Sequence, residues 1–203
     1  MNESTNSNNR KTWEFFILTG SEKGFSPIYY SYFDLLYYVG LKYTSNTQII
    51  EDSIQNIFLY LLKSRNKLKH ITNVKAYLLK SFRRQLFLDL KKQKKFFFPE
   101  QLIETSFDYF NGTEQNTPEK EEQSELQSAI KKSIQNLSDK QQEIIYLRYD
   151  CELSYEEISN ILGISVDSCY KSVYRSIKIM KTNVKQMLVK STQLFCWFIF
   201  NSK

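Results

Sequence analysis

The stretch SYEEISNILGISVDSCYKSVYRSIKIMK, residues 154–181, predicts two short helices joined by a tight turn. Ser154 and Glu157 have the S-x-x-E spacing of a capping box, in which each residue bonds a backbone N–H group at a helix start. Gly163 stands where a chain leaving a helix often needs a positive φ angle. Ser165 is then placed to cap the second helix.

The second of these helices is amphipathic. Its predicted apolar positions recur at helical spacing: Val166, Cys169, Val173, Ile177 and Met180. Its other face carries Ser168, Lys171 and Arg175. A buttressing helix followed by one with a polar and basic face is the arrangement by which a helix-turn-helix reads the major groove of DNA. The alternative interpretation is an αα-hairpin inside a helical bundle.

Composition favours an acidic partner and a helical fold. The 203 residues include 28 Lys and Arg against 22 Asp and Glu, and the isoelectric point is near 9.0. Five Gly and three Pro are too few for an all-β fold with many turns. No apolar run reaches the ~20 residues needed to span a bilayer, and the polar N-terminus resembles no secretory signal. We therefore expect a cytoplasmic protein without a membrane span.

The residues that usually carry chemistry are sparse. The three cysteines, Cys151, Cys169 and Cys196, have no metal-ligand spacing, and the single histidine, His70, has no Cys or second His near it in sequence. Cys169 falls on an apolar helix face, which predicts a small buried thiol. No nucleophile–base pair, phosphate-binding loop or metal cluster is present in the sequence. We expect no catalytic residues, no metal, no cofactor and no small-molecule substrate.

Charge divides the chain into two modules and a linker. Residues 1–95 hold 16 basic and 7 acidic side chains, residues 96–128 hold one and eight, and residues 129–203 hold 11 and 7. Turn signals cluster in the acidic stretch, at Pro99, Asn111-Gly112 and Pro118. We predict an all-α fold in which two small helical domains are joined by a flexible acidic linker. The predicted parts are an N-terminal tail at 1–22, a helical domain at 23–95, the linker at 96–124, the helix-turn-helix domain at 125–189 and an apolar tail at 190–203.

The first module is predicted as a three-helix bundle with one strongly basic surface. Helices are expected over 28–43, 47–63 and from about 72 to 95. Residues 63–95 contain 12 Lys or Arg and one acid, Asp89. Such a surface suits contacts to phosphates, and aromatic side chains beside it can stack on unpaired bases. Aromatic residues of the linker, Phe107, Tyr109 and Phe110 among them, are candidates for docking on a partner.

The order of these parts resembles a small sigma factor of the sigma-70 family, in the extracytoplasmic-function subgroup. The stretch IIEDSIQNIFLYLL (49–62) is similar to the family's polymerase-binding helix, typically AEDIVQEVFLKLW. The stretch ITNVKAYLLKSFRRQLFLDLKKQKK (71–95) is similar to its promoter-melting and minus-10 helix. Residues 134–181 are similar to its minus-35 module. The resemblance implies binding to core RNA polymerase and promoter DNA, with an anti-sigma factor as a further partner.

The family's functional positions can be transferred residue by residue. The implied core-polymerase contacts are Asp52, Gln55, Asn56 and Phe58. The implied minus-10 contacts are Lys67, Lys69, His70, Asn73, Lys80, Arg83, Arg84, Lys91, Lys92 and Lys94. The implied minus-35 contacts are Ser165, Asp167, Ser168, Tyr170, Lys171, Tyr174, Arg175 and Lys178. The loop 67–73 matches the loop that holds a flipped minus-10 base in this subgroup.

Departures from the family pattern fall on four of the implied contacts, one of which is Arg84, where the family usually has Asn. Asn56 replaces the usual acid, and Tyr170 replaces a common Lys or Arg while Asp167 adds an acid. The main alternative function is a stand-alone helix-turn-helix regulator, which predicts a dimer and a palindromic site. A helical inhibitor that mimics these modules is a further alternative, which the basic surface at 63–95 disfavours.

Overall fold

The computed structural model describes residues 3–97, 107–110 and 125–201, with side chains described over 10–93, 107–110 and 127–187. Every regular element in these ranges is helical, which confirms the predicted all-α class. The chain forms two compact units, with the division between them at residues 106 and 107.

The first unit begins with a helix that the sequence analysis missed. Helix α1 runs over Glu3–Thr19, so the predicted N-terminal tail at 1–22 is wrong. Trp13, Phe16 and Ile17 are buried, and they share one face because they lie three and four residues apart. This face packs mainly on the next helix, and its burial offsets the entropy of ordering the segment.

The end of α1 is tightly joined to the rest of the unit. Gly20 adopts a φ of 63° and donates its N–H to the Phe16 carbonyl at 2.7 Å. Arg65 donates from Nη1 to the Leu18 carbonyl at 3.4 Å, which satisfies an acceptor at the helix end. At the crossing with α2, a Cβ on Gly24 would lie 2.8 Å from the Phe16 Cα. Glycine is therefore what permits the two helices to approach.

Three further helices complete the first unit. Helix α2 spans Glu22–Leu41, six residues earlier than its predicted start, and α3 spans Thr47–Ser64 with Asn46 as its cap. A short 3-10 helix, Arg65–Leu68, leads to α4 at Val74–Phe97. The cap of α4 is Asn73, whose Oδ1 accepts a hydrogen bond from the Ala76 N–H at 3.0 Å. The sequence spacing of α3 predicts one apolar stripe, which is buried except at Leu62: Ile50, Ile54, Ile57, Phe58, Leu61 and Leu62.

The second unit contains four helices, of which the last two form the predicted helix-turn-helix. They are α5 at Glu125–Gln135, α6 at Asp139–Tyr149, α7 at Tyr155–Leu162 and α8 at Val166–Asn201. The predicted capping box of Ser154 with Glu157 is formed, and Ser138 with Gln141, which has the S-x-x-Q spacing of a capping box, forms a second one. The predicted inward placement of Val166 on α8 is wrong, because its side chain is 41% exposed; Ile130 of α5, which helical spacing also places inward, is 39% exposed.

Helix α8 is longer than predicted and continues to Asn201. The predicted apolar tail at 190–203, including the run 194–200, lies outside the residues whose side chains are described. Among the described residues, no helix has both the length and the apolar character required to cross a membrane.

Candidate nucleic-acid interface

The helix-turn-helix is built by the local signals in its sequence. Ser154 Oγ accepts a hydrogen bond from the Glu157 N–H at 3.2 Å, and Glu157 Oε2 accepts one from the Ser154 N–H at 2.8 Å. Gly163 ends α7 with a φ of 69°, a conformation that costs other residues roughly 1–2 kcal/mol. Ser165 Oγ then accepts a hydrogen bond from the Ser168 N–H at 3.1 Å and caps α8.

Helix α8 has a buried and an exposed face over its first four turns. Cys169, Val173 and Ser176 are buried, and Cys169 is a free thiol, as predicted. All eight predicted minus-35 residues are exposed: Ser165, Asp167, Ser168, Tyr170, Lys171, Tyr174, Arg175 and Lys178. The structure therefore brings these side chains together on one accessible surface, which we call the recognition face.

Two polar residues of the recognition face are engaged with each other. Lys171 Nζ lies 2.7 Å from Asp167 Oδ2, one helical turn earlier. Both side chains are more than half exposed, so solvent screens the pair and its net stabilisation is small, about 0.2–1 kcal/mol. A phosphate can therefore compete with Asp167 for the lysine.

A tyrosine of the recognition face is held by residues that the sequence analysis did not select. The Tyr170 ring meets the Tyr155 ring nearly edge to face, with centroids 5.2 Å apart. The Arg148 guanidinium lies 4.9 Å from the Tyr155 ring centroid and donates to the Leu153 carbonyl at 2.6 Å. Arg148 and Tyr155 are therefore candidates for positioning Tyr170, and no periodic signal in the sequence pairs them.

The first unit contains a groove of about 610 Å³ lined by α3, α4 and the loop that joins them. Its lining combines aromatic, cationic and amide side chains: Asn56, Tyr60, His70, Tyr77, Lys80, Arg84 and Gln85, with Ile57, Ile71, Ser81 and Leu88. Burial raises the pKa of the Tyr77 phenol above its ordinary value of 10.0, so this group stays neutral at physiological pH. Neutral rings beside cations form a suitable surface for an unstacked base and its phosphate.

The predicted minus-10 residues do not all face this groove. His70, Lys80 and Arg84 line it. Arg83 is absent from its lining, and its guanidinium lies 4.4 Å from the Phe87 ring centroid. Asn73 serves as the cap of α4.

The remaining lysines extend the basic surface. Lys67, Lys69 and Lys91 are exposed, and Lys92 Nζ lies 3.3 Å from Asp89 Oδ1. The side chain of Lys94 lies outside the described part of α4. The exposed cations thus occupy both the loop before α4 and its later turns.

The structure corrects the predicted polymerase-binding set on α3. Asp52, Gln55 and Asn56 are exposed, but Phe58 is only 2% exposed. Its ring packs against Tyr29 at a centroid distance of 4.8 Å and against Phe25 at 5.8 Å. Phe58 is therefore a core residue.

Leu59 takes the place of Phe58 on the accessible side of α3. It is 44% exposed and follows Asp52, Gln55 and Asn56 by seven, four and three residues. This spacing puts all four on one face, the α3 face. The sequence already indicated this position, because helical spacing places Leu59 with Asp52, Gln55 and Asn56 and away from the apolar stripe of α3.

Two protein-family models match the chain. The model described as Sigma-70 region 2 matches residues 28–96, and the model described as Sigma-70, region 4 matches residues 127–180. Together they cover more than half of the 203 residues. The chain therefore belongs to the sigma-70 family of sigma factors.

Two solved structures have a similar fold. One is the sigma factor RpoE in complex with the anti-sigma factor NepR from Bartonella quintana, with 19% identity and a TM-score of 0.56, covering 80% of this chain and 98% of that one. The other is CnrH in complex with the cytosolic domain of CnrY, with 11% identity and a TM-score of 0.55, covering 88% and 98%. A search of curated proteins finds no significant match. The region 4 model that matches is typical of the extracytoplasmic-function subgroup, to which we assign the chain.

Proposed function

We propose that this sigma factor binds core RNA polymerase and directs it to promoters through separate minus-10 and minus-35 contacts. The observation that carries the proposal is the match of two sigma-70 regions, in order, to two units that each expose a surface suited to DNA. In this proposal the polymerase performs the chemistry, and the sigma factor supplies binding energy and specificity.

The recognition face is proposed to read the minus-35 element in the major groove. Ser168 and Arg175 offer hydrogen bonds to base edges and phosphates, and Lys171 becomes available when it exchanges Asp167 for a phosphate. Tyr170 and Tyr174 are 57% and 64% exposed and add ring surface that the typical Lys or Arg would not provide. The eight predicted residues of this face remain our proposed contacts.

The groove of the first unit is proposed to hold a base of the opened minus-10 strand. Tyr60 and Tyr77 supply ring faces, while Lys80 and Arg84 supply charge at the same surface. A flipped base leaves the duplex stack only if the protein offsets the unstacking energy of a few kcal/mol, and stacking on a tyrosine offsets part of it. Strand opening is therefore driven by preferential affinity for the open form.

Lys67, Lys69, Lys91 and Lys92 are proposed to contact the backbone of the same strand. They are exposed and lie before and after the groove-lining part of α4. Arg83, which packs on Phe87, is proposed to support the shape of α4, and Asn73 to fix its first turn.

The α3 face is proposed to bind core polymerase. Asp52 and Gln55 provide polar contacts around Leu59, and an exposed apolar residue ringed by polar groups is common in protein interfaces. Asn56 also lines the groove, so it is placed where polymerase and DNA contacts meet.

We further propose an anti-sigma factor as a partner and the cytoplasm as the place of action. In one structure of similar fold, the sigma factor RpoE is bound to the anti-sigma factor NepR. A sigma factor that binds core RNA polymerase must be in the same compartment as the polymerase, which is the cytoplasm in this proposal.

The direct test is reconstitution with bacterial core polymerase. We expect co-elution of the two and promoter-specific transcripts whose start sites share two upstream elements. A stable dimer that binds a palindromic duplex, without co-elution with polymerase, would instead support a stand-alone regulator.

A further inference from the structure

Gln85 lines the groove of the first unit but belongs to none of the three sets of implied contacts. It is an amide among cations, since Lys80 and Arg84 of the same lining can only donate hydrogen bonds. An amide has a donor end and an acceptor end, and its orientation decides which of them a ligand meets. The neighbours of Gln85 set that orientation.

Asp89, one turn further along α4, fixes the Gln85 amide. Gln85 Nε2 donates to Asp89 Oδ2 at 2.8 Å. A carboxylate only accepts hydrogen bonds, so turning the amide over would set its oxygen, Oε1, against another acceptor. Asp89 itself lies outside the lining of the groove. The donor end of the amide is therefore committed to Asp89, and the acceptor Oε1 is the end that remains for a ligand.

Asp89 is in turn held by two further donors. Ser53 of α3, which is fully buried, donates from Oγ to Asp89 Oδ2 at 3.0 Å. Lys92 Nζ lies 3.3 Å from Asp89 Oδ1. The Asp89 side chain is only 17% exposed, so solvent screens these contacts less than those of a surface pair. The only acid among residues 63–95 is thus anchored to both α3 and α4.

An acceptor held at the groove distinguishes one class of base. Adenine, cytosine and guanine each carry an exocyclic amino group, whose N–H can donate to Gln85 Oε1. Thymine has no amino group and presents carbonyl oxygens at the edge of its ring. Such an oxygen opposite Oε1 would leave two acceptors facing each other without a proton between them, which costs binding energy.

We propose that Gln85 is a specificity-determining residue of this groove, which selects an unpaired base with an exocyclic amino group over thymine, and that Asp89 is its positioning residue. This inference rests on the proposed binding of an opened strand in the groove. It adds to that proposal the chemical class of the base and a role for the acid at the centre of a basic surface.

The test measures binding of the full-length protein to single-stranded thymidine oligonucleotides of about ten residues with one central base replaced. Adenine is compared with purine, cytosine with 2-pyrimidinone and guanine with hypoxanthine, and the second base of each pair lacks only the amino group. The ratio of the two dissociation constants is the amino advantage. We expect it to be about fivefold in at least one pair, the effect of one hydrogen bond, and that pair identifies the base. An amino advantage of about one in all three pairs would overturn the selection.

Two variants separate the acceptor from its positioning. Gln85→Leu removes the acceptor, so the amino advantage should fall to about one. In Asp89→Asn, the introduced amide can keep its oxygen for Ser53 and turn its NH2 group to Gln85. The Gln85 amide then turns over and presents its own NH2 group, so the amino advantage should again fall to about one or below. The matched control is Asp34→Asn, which removes the same charge from an exposed site on α2 and should keep the native ratio.

The ratio is insensitive to a merely structural defect, because a partly unfolded protein binds both members of a pair more weakly by the same factor. Urea unfolding of each variant reports its stability separately. A native amino advantage in Gln85→Leu would overturn the role of Gln85, and one in Asp89→Asn would overturn the positioning role of Asp89. If the native protein binds none of the oligonucleotides, the proposed function of the groove fails, and the selection with it.

Discussion

The ring of Tyr155, at the first residue of α7, lies 5.2 Å from the ring of Tyr170 on the recognition face. This contact links the supporting helix of the helix-turn-helix to the side chain that replaces the family's common Lys or Arg. The guanidinium of Arg148, on α6, lies over the ring of Tyr155. The position of Tyr170 on α8 therefore depends on residues of α6 and α7 as well. Its orientation is thus a tertiary property.

Lys171→Ala should weaken binding to a minus-35 duplex several-fold and reduce the slope of log affinity against log salt by about 1, since one phosphate contact is lost. Asp167→Asn should strengthen binding to the same duplex by about 0.5–1 kcal/mol. The substitution releases Lys171 from its ion pair and removes a negative charge that would repel phosphate. Fluorescence anisotropy over a salt series measures both. Lys140→Ala, an exposed lysine on α6, serves as the control. An unchanged slope in Lys171→Ala would remove this lysine from the interface.

Arg84→Ala should lower affinity for a single-stranded minus-10 oligonucleotide, because Arg84 lines the groove. Arg83→Ala should bind the oligonucleotide nearly as well, and should instead lose about 0.5–1 kcal/mol of unfolding free energy from its contact with Phe87. Oligonucleotide titrations and urea unfolding separate the two effects. Equal losses of affinity in both variants would contradict the assignment of the groove.

Phe58→Ala should destabilise the first unit by about 3–5 kcal/mol, because it removes a buried ring from an aromatic cluster. Leu59→Ala should leave stability within about 0.5 kcal/mol and weaken association with core polymerase. Urea unfolding and a polymerase-binding titration give the two values. A well-folded Leu59→Ala protein that binds polymerase with native affinity would exclude Leu59 from the interface.

The second unit should lose stability in alkaline solution. Burial, followed by the hydrogen bond to Asp150, raises the pKa of Tyr109, and burial also raises the pKa of Tyr146. The unfolded chain releases these protons near pH 10, whereas the folded chain retains them. The stabilisation is therefore complete below pH 10 and declines as pH rises above it.

Tyr109→Phe provides the check on this pH dependence. It should reduce stability at neutral pH by about 1 kcal/mol through the lost hydrogen bond, and its loss of stability above pH 10 should be shallower. Thermal unfolding across pH, with tyrosinate absorbance as the probe of ionisation, measures both. A pH profile identical to the native one would show that Tyr109 does not contribute.

Gly163→Ala should cost about 1–2 kcal/mol of stability in the second unit. A Cβ at this position would meet no atom within 4 Å, so the cost is conformational and not steric crowding. Thermal unfolding measures it. Gly163→Asn, which tolerates the left-handed conformation better, should recover part of the loss.

The local elements of this protein were largely predictable. The capping residues Ser138 and Ser154, the positive φ of Gly163 and the buried stripes of α3 and α4 all follow from the sequence, because each depends on residues within one or two turns. The recognition face was predictable for the same reason. Helix α1 was missed although Trp13, Phe16 and Ile17 have helical spacing, since polar residues dominate the sequence that precedes them.

Contacts between distant residues were not predictable. The burial of Phe58 follows from its place in the apolar stripe of α3, but its ring partners Tyr29 and Phe25 lie on another helix and could not be identified from the sequence. Apart from α1, the sequence by itself determined the helices, the capping residues Ser138 and Ser154, and the two basic modules, because these depend on short-range hydrogen bonds, periodicity and charge. The tertiary structure decided that Arg84 and not Arg83 lines the groove, that Tyr155 supports Tyr170, and that residues 107–110 of an acidic linker belong to a folded unit. Each of these depends on side chains brought together across many residues, where packing outweighs local preference.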